Sequence, residues 1–104
     1  MKALDLSVFD KETMPIKLLD GTTIHVVKPT QKIAIEVSKL QGIDKDNAEL
    51  VMKTLNTLVY MILNTNEEGY KTEMETIEDM GVGLKSKIVI AYTQWLNELI
   101  SNPI

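Results

Sequence analysis

The dipeptide Asp20-Gly21 lies between two β-prone runs and constrains this 104-residue chain more than any other feature. Asp-Gly in that setting is typical of a tight β-hairpin, because these residues tolerate the left-handed backbone of such turns. A two-residue loop would scatter the apolar side chains over both faces. A three-residue loop with Gly21 in the left-handed conformation pairs Ile16 with Ile24, and burial of one face favours that register. The apolar face then consists of Met14, Ile16, Leu18, Ile24 and Val26.

The Pro29-Thr30 pair ends the predicted hairpin, and the apolar residues beyond it recur with the 3.6-residue period of helices. Its threonine is a predicted N-cap and Gly42 a predicted stop, so a first helix is expected over residues 31–41. A second, longer helix is predicted from about Asp44 to Asn64. Asp44 is its expected cap, because a carboxylate there can accept hydrogen bonds from the first free amides.

The polar, acidic segment from residue 64 to residue 70 is predicted to be a loop. Thr72 and Glu75 have the spacing of a capping box, so a short helix is expected to begin there. The Gly81-x-Gly83 sequence is predicted to end that helix. A last helix is then predicted over residues 84–101, where the apolar residues again follow the helical period.

These elements predict an α+β fold that is mainly α, with an N-terminal β-hairpin followed by about four helices, two of them long. No repeat, low-complexity tract or linker divides residues 1–104, which we interpret as a single domain. Its parts are an N-terminal arm (1–12), the hairpin (13–28) and a helical part (30–102). The residues expected to be largely buried are Ile24, Leu55, Leu58, Ile62, Ile88, Tyr92 and Trp95.

The composition excludes several classes of function. The 15 acidic and 11 basic residues leave a net charge of −4, and every basic residue is Lys. No nucleic-acid binding is expected, since that affinity depends on neutralising phosphates. The absence of Cys removes thiolate and iron–sulfur chemistry. No apolar run reaches the ~18 residues of a membrane span, and residues 3–10 lack the pattern of a signal peptide, so we expect no membrane association and a cytoplasmic location.

The residue types that carry chemistry in other proteins are isolated in this chain. His25 is the only histidine and is interpreted as an exposed strand residue without a catalytic partner. The acidic residues between Glu67 and Asp79 lack the spacing of a calcium loop and are expected to form a solvated face. Gly81-x-Gly83 lacks the Lys-Ser/Thr ending of a phosphate-binding loop. We therefore predict no catalytic, cofactor-binding or metal-binding residue, and no enzyme activity.

The second and last predicted helices carry apolar arcs wider than the ~100° that a core-facing helix needs. One interpretation is that the shorter helices cover these arcs. The other is that residues on the flanks are buried against another copy of the chain or an extended partner. Under the second interpretation, the partner-binding residues are Val51, Val59, Leu63, Val89, Leu96 and Ile100.

The run from Ile16 to Lys32, IKLLDGTTIHVVKPTQK, resembles the opening of small tail assembly chaperones from long-tailed phages and prophages of low-GC Gram-positive bacteria. In that family, a hairpin with the pattern L-x-DG…I-x-V-x-KPT leads into helices. The resemblance covers the hairpin closely, and the helix order and the length more loosely.

The resemblance implies a non-enzymatic protein without a cofactor that coats the tape measure protein during tail morphogenesis and helps to recruit tail tube subunits. It also implies a function that rests on protein–protein contacts, for which self-association through the same helices would raise avidity. The alternative hypothesis is a homo-oligomeric adaptor or regulatory protein that is unrelated to phage tails.

Overall fold

The structure is a computed structural model that describes residues 3–4 and 12–101, with side chains described up to residue 99 in the last helix. Within this part of the chain, a two-stranded hairpin precedes four helices, which confirms the predicted α+β, mainly helical fold. The elements are β1 (Met14–Lys17), β2 (Thr23–Val26), α1 (Gln31–Gln41), α2 (Ala48–Leu63), α3 (Met74–Asp79) and α4 (Val82–Ser101). The predicted arm over residues 1–12 lies mostly outside the described residues.

The hairpin has the predicted three-residue loop and register. Ile16 pairs with Ile24 in the antiparallel ladder. Gly21 has a φ of 89°, a backbone conformation that a side chain would strain. The Leu18 amide donates to the Thr22 carbonyl at 2.7 Å. The Asp20 carboxylate accepts a hydrogen bond from the Thr22 amide at 2.8 Å. Hydrogen bonds from the backbone and the side chain of Thr22 lower the pKa of Asp20.

A short extended segment pairs with the free edge of β2 inside the stretch that the sequence predicts as a loop. The Val27 amide donates to the Thr65 carbonyl, and the Glu67 amide donates to the His25 carbonyl, both at 3.0 Å. Asn66 forms a bridge with Val26 between these two bonds. Strand β2 is therefore paired along both edges, whereas β1 forms the outer edge of the sheet in the part of the chain that is described.

The first helix has the predicted bounds, and the second begins later than predicted. The Thr30 hydroxyl caps α1 by accepting from the Ile33 amide at 3.5 Å. The cap of α2 is Asn47, whose side-chain carbonyl accepts from the Leu50 amide at 3.1 Å. The predicted cap, Asp44, accepts from the Asp46 amide instead, at 3.0 Å. An aspartate that closes its own turn in this way holds the chain outside the helix for a few more residues.

The predicted capping box before the third helix is wrong. The N-cap of α3 is Glu73, and its side chain makes no capping hydrogen bond. The backbone of Thr72 is held by the side-chain amide of Asn64, which accepts from the Thr72 amide at 2.7 Å and donates to the Thr72 carbonyl at 3.0 Å. These two hydrogen bonds tie the backbone just before α3 to the C-terminal end of α2. Helix α4 begins at Val82, two residues before the predicted start.

Helix α2 lies at the centre of the fold, in contact with α1, α3 and α4. The core is formed around it by Ile24, Val26, Ile33, Val37, Leu55, Leu58, Val59, Ile62, Leu63, Ile77, Val89 and Tyr92. Five of the seven residues predicted to be largely buried belong to this core. The other two, Ile88 and Trp95, are only half-buried and pack against its edge.

The reason for that difference is the rotation of α4 about its own axis. Its buried line runs through Lys85, Val89 and Tyr92, which are 3%, 8% and 0% exposed. The Lys85 ammonium donates to the side-chain carbonyl of Asn56 on α2 at 2.7 Å. Because a lysine is seldom buried, the sequence pattern centres the apolar face on Ile88 and Trp95 instead. The face of α4 that packs into the core is the one that carries Lys85, Val89 and Tyr92.

Candidate functional site

The six predicted partner-binding residues do not share one surface. Three of them, Val59, Leu63 and Val89, are 0%, 1% and 8% exposed, and they are core residues. The prediction that these three residues bind a partner is therefore corrected: other elements of the same chain already cover them. Val51 and Leu96 are half-buried, and the side chain of Ile100 lies outside the described part of the structure.

The chain's own elements cover most of the wide apolar arc of α2, although Val51 and Met52 near its start are only half-buried. The adjacent pairs Leu58-Val59 and Ile62-Leu63 point in directions about 100° apart, and all four side chains are buried. This is possible because α1, α3 and α4 all pack against α2. The shorter helices α1 and α3 cover part of the arc, as the first interpretation predicts, and the long helix α4 covers another part.

Helix α4 leaves an apolar flank open beside β1. One open cleft of about 310 Å³ is lined by Met14, Pro15, Ile16, Lys87, Ile88 and Ala91. A second cleft, further along the same flank, is lined by Glu12, Trp95, Glu98 and Leu99. We refer to the residues of both clefts together as the hairpin–α4 groove.

The α4 wall of this groove is a regular helical stripe. Ile88, Ala91, Trp95 and Leu99 follow one another at intervals of three, four and four residues, so they lie on one face of the helix. The Trp95 ring packs edge-on against Tyr92 with 5.8 Å between the ring centroids and 72° between the planes. The indole is thus held from the core side while its other side lines the groove.

The β1 wall favours a helical ligand over an added strand. The backbone amide and carbonyl groups of residues 14, 16 and 18 point toward β2. Those of Pro15 and Lys17 therefore point away from β2, along the outer edge of β1. Proline has no amide hydrogen, and an incoming strand would lose a hydrogen bond at the middle of this edge. A helix satisfies its own backbone groups and brings only side chains to the groove.

The rim of the groove carries opposite charges at its two ends. Lys87 lies at the end beside Ile16, and Glu12 and Glu98 lie together at the other end. All three side chains are exposed. None of them forms an ion pair with another residue that the structure describes.

His25, predicted to have no catalytic partner, is hydrogen-bonded to the carboxylate of Glu68. Its amide donates to one oxygen of the Glu68 carboxylate at 2.7 Å, and Nδ1 lies 2.6 Å from the other oxygen. The hydrogen bonds from the His25 backbone and ring lower the pKa of Glu68. This carboxylate fastens the segment after α2 to strand β2. Only the pairing of that segment with β2 brings the two residues together, 43 positions apart, so no local pattern could indicate it.

Two buried polar groups lie on the core side of α4. The Lys85 ammonium has Asn56 as its partner. The Tyr92 hydroxyl makes no hydrogen bond with any described residue, and burial raises the pKa of Tyr92. Neither Lys85 nor Tyr92 lines the hairpin–α4 groove. Both are packing features of the interface between α4 and α2.

In the part of the chain that the structure describes, no cluster of three His, Asp or Glu side chains is arranged to hold a metal ion. Among the described helices, none has the length and apolarity needed to cross a membrane.

Comparisons with known proteins add no relative to this description. No protein-family model matches the chain, and no curated protein or solved structure shows significant similarity to it.

Proposed function

We propose that this protein is a non-enzymatic tail assembly chaperone that acts in the bacterial cytoplasm and coats the tape measure protein during phage tail morphogenesis. The observation that carries the proposal is the hairpin–α4 groove, whose cleft between β1 and α4 is mainly apolar, opens to solvent and has no covering element among the described residues. The resemblance of residues 16–32 to the opening of such chaperones supports it.

The groove would act by covering the apolar stripe of a client helix. Ile16 on one wall and Ile88 on the other would contact the stripe, and Ala91 leaves room for a helix to approach closely. Trp95 would be the main anchor, since it is a large aromatic side chain already held in place by Tyr92. Affinity from buried apolar area, with little selection for particular residues, suits a protein that binds many sites along one long client.

The charge of the chain would keep the coated client in solution. The chain has a net charge of −4, and among the described residues Lys85 is the one charged side chain that is buried, so the other described charges are open to solvent at least in part. Several copies on one tape measure protein would repel other coated chains and reduce aggregation. Contacts between neighbouring copies, and the recruitment of tail tube subunits, would complete this activity through further protein surfaces.

The test is co-expression with the tape measure protein encoded beside this gene. The wild-type chaperone should bring the client into the soluble fraction and co-purify with it. Ala91→Glu places an unpaired charge in the α4 wall of the groove and should abolish both effects, because burying that charge against an apolar helix is costly. The matched control is Ala48→Glu, which makes the same change at an exposed position at the start of α2.

The two variants also separate this proposal from its alternative. Ala91 and Ala48 are both exposed, so circular dichroism should show folded proteins in each case. Loss of client solubility in both variants, or in neither, would contradict the role of the groove. A wild-type protein that self-associates and leaves the client insoluble would instead favour the adaptor or regulatory protein.

A further inference from the structure

The charges on the rim of the hairpin–α4 groove are spaced so that the groove can complement itself. Lys87 and Glu98 are eleven residues apart, which places them about 16 Å apart along the helix axis and about 20° apart around it. Their attraction within one chain is weak, because that distance exceeds the ~10 Å over which exposed charges act at 0.1 M salt. Each therefore remains available to an opposite charge that approaches from outside.

We propose that two copies of this chain pack their α4 helices antiparallel in each other's groove, related by a two-fold axis. Lys87 of each copy then faces Glu98 and Glu12 of the other. The interface is isologous, so the single rim pattern produces two identical sets of ion pairs. The inference rests on the proposed function, because it concerns the same groove. It adds that a second copy of the chain occupies the groove before a client binds.

Antiparallel packing is the arrangement that satisfies all the charges at once. In a parallel pair, Lys87 would face its own equivalent, and the acidic ends carrying Glu12 and Glu98 would also meet. Antiparallel packing brings the basic end of each groove to the acidic end of the other. It thereby places a cation beside two carboxylates that share one cleft.

The centre of the proposed interface is suited to close contact. The two-fold axis passes midway between Lys87 and Glu98, where Ala91 of one copy lies opposite Gln94 of the other. Both residues are exposed, and the small side chain of Ala91 lets the two helices approach. Ile88 and Trp95 flank this point and would be covered by the second copy. Two helices of 20 residues with the adjoining β1 walls have the length to bury an interface of standard size, about 800 Å² per copy.

One consequence concerns the client. The second copy covers the same apolar residues that a client helix would contact, so the free chaperone would protect its own groove. A client would load by displacing the second copy. Dimer and client complex are then alternative states of one surface.

The test is a charge exchange followed by mixing. Lys87→Glu alone places acid against acid across the axis, and Glu98→Lys alone places base against base. Each variant should therefore dimerise at least about tenfold more weakly than the wild type in sedimentation equilibrium. An equimolar mixture of the two variants should recover dimers, because each copy then offers the charge that the other lacks. Lys53→Glu, an equivalent change at an exposed site on α2, should dimerise as the wild type does.

Each outcome separates the inference from the proposed function. A wild type that remains monomeric at the highest measurable concentration, or variants that do not recover on mixing, would overturn the antiparallel dimer. In that case the chaperone proposal still stands if the client is solubilised on co-expression. Dimers that follow the charge exchange while the client stays insoluble would support the inference and contradict the proposed function.

Discussion

Helices α2 and α4 have similar apolar patterns in sequence and different surroundings in the fold. Helix α2 has α1, α3 and α4 packed against it, and its paired apolar residues are buried on more than one side. Helix α4 contributes Val89 and Tyr92 to the core and leaves Ile88, Ala91 and Trp95 beside an open groove. A wide apolar arc therefore signals a need for cover, and the topology decides whether the same chain or a partner supplies it.

The difference also assigns separate consequences to mutations in the two helices. A side chain with neighbours on every side contributes to the free energy of unfolding, because its removal leaves a cavity. A side chain at the edge of the core loses little packing when it is truncated. Changes in α2 should therefore act on stability, and changes on the open flank of α4 should act mainly on association.

The largest expected effect is on Leu58 at the centre of α2. This side chain is fully buried, so Leu58→Ala should lower the free energy of unfolding by about 2–5 kcal/mol. Ile88→Ala removes a comparable apolar group from the half-buried flank of α4 and should cost less than half as much. Urea denaturation of both variants measures this ratio. Equal losses would show that the flank of α4 is packed as tightly as α2.

A smaller effect is expected at Lys85, the buried charged residue on the core face of α4. Its ammonium is buried against the neutral side chain of Asn56, so desolvation of the charge opposes folding. Lys85→Met keeps the length of the side chain without the charge and should raise the free energy of unfolding by about 1 kcal/mol. Lys85→Ala should lower it, because the stem of the lysine also fills space. A marked loss in Lys85→Met, measured by thermal denaturation, would mean that the hydrogen bond to Asn56 outweighs the desolvation.

Tyr92 offers a finer probe of the same helix. Its hydroxyl is buried and has no partner among the described residues, and such a group is costly to desolvate. Tyr92→Phe should therefore leave stability unchanged or raise the free energy of unfolding by up to about 1 kcal/mol. The ring contact with Trp95 is kept, so client binding and self-association should not change. A clear loss of stability in denaturant titrations would show that the hydroxyl is hydrogen-bonded in solution.

The smallest expected effect concerns the segment that leaves α2 and pairs with β2. The pKa of Glu68 is lowered in the folded state by the hydrogen bonds from His25. The carboxylate therefore adds stability above its unfolded-state pKa, and this contribution disappears as the pH falls through the lower folded-state pKa. Glu68→Gln should be less stable than the wild type at pH 7, with a difference that vanishes in acid. Urea denaturation at several pH values measures it, and a difference that is independent of pH would contradict the assignment.

Local sequence was sufficient for the hairpin and for much of the helix order. The register of β1 and β2 followed from Asp20-Gly21 and from the requirement that one face be apolar, and both are properties of neighbouring residues. The bounds of α1 followed from Thr30 and Gly42 for the same reason. The helix caps at Asp44 and Thr72 were predicted wrongly, because other polar groups compete for the same amides and a sequence pattern does not rank them.

The groove could be predicted only in part. The sequence indicated that α4 carries more apolar surface than one core face needs, but it assigned Ile88 and Trp95 to the core and Val89 to the flank. The error arose because a lysine is normally expected to be exposed, and the sequence does not show that Lys85 binds Asn56 on another helix. Strand β1 as the opposite wall, and Glu12 near Glu98, depend on contacts between distant parts of the chain.

By itself, the amino-acid sequence determined which segments form strands and helices, how the hairpin pairs, and that the protein has an excess of apolar helix surface. Those properties arise from interactions over a few residues, which a one-dimensional pattern records. The tertiary structure alone decided that α2 is the covered helix and α4 the open one, that Lys85 is buried, and that Glu68 binds His25. Those outcomes depend on which elements meet in space, where packing and the pairing of buried polar groups outweigh the preferences of any single residue.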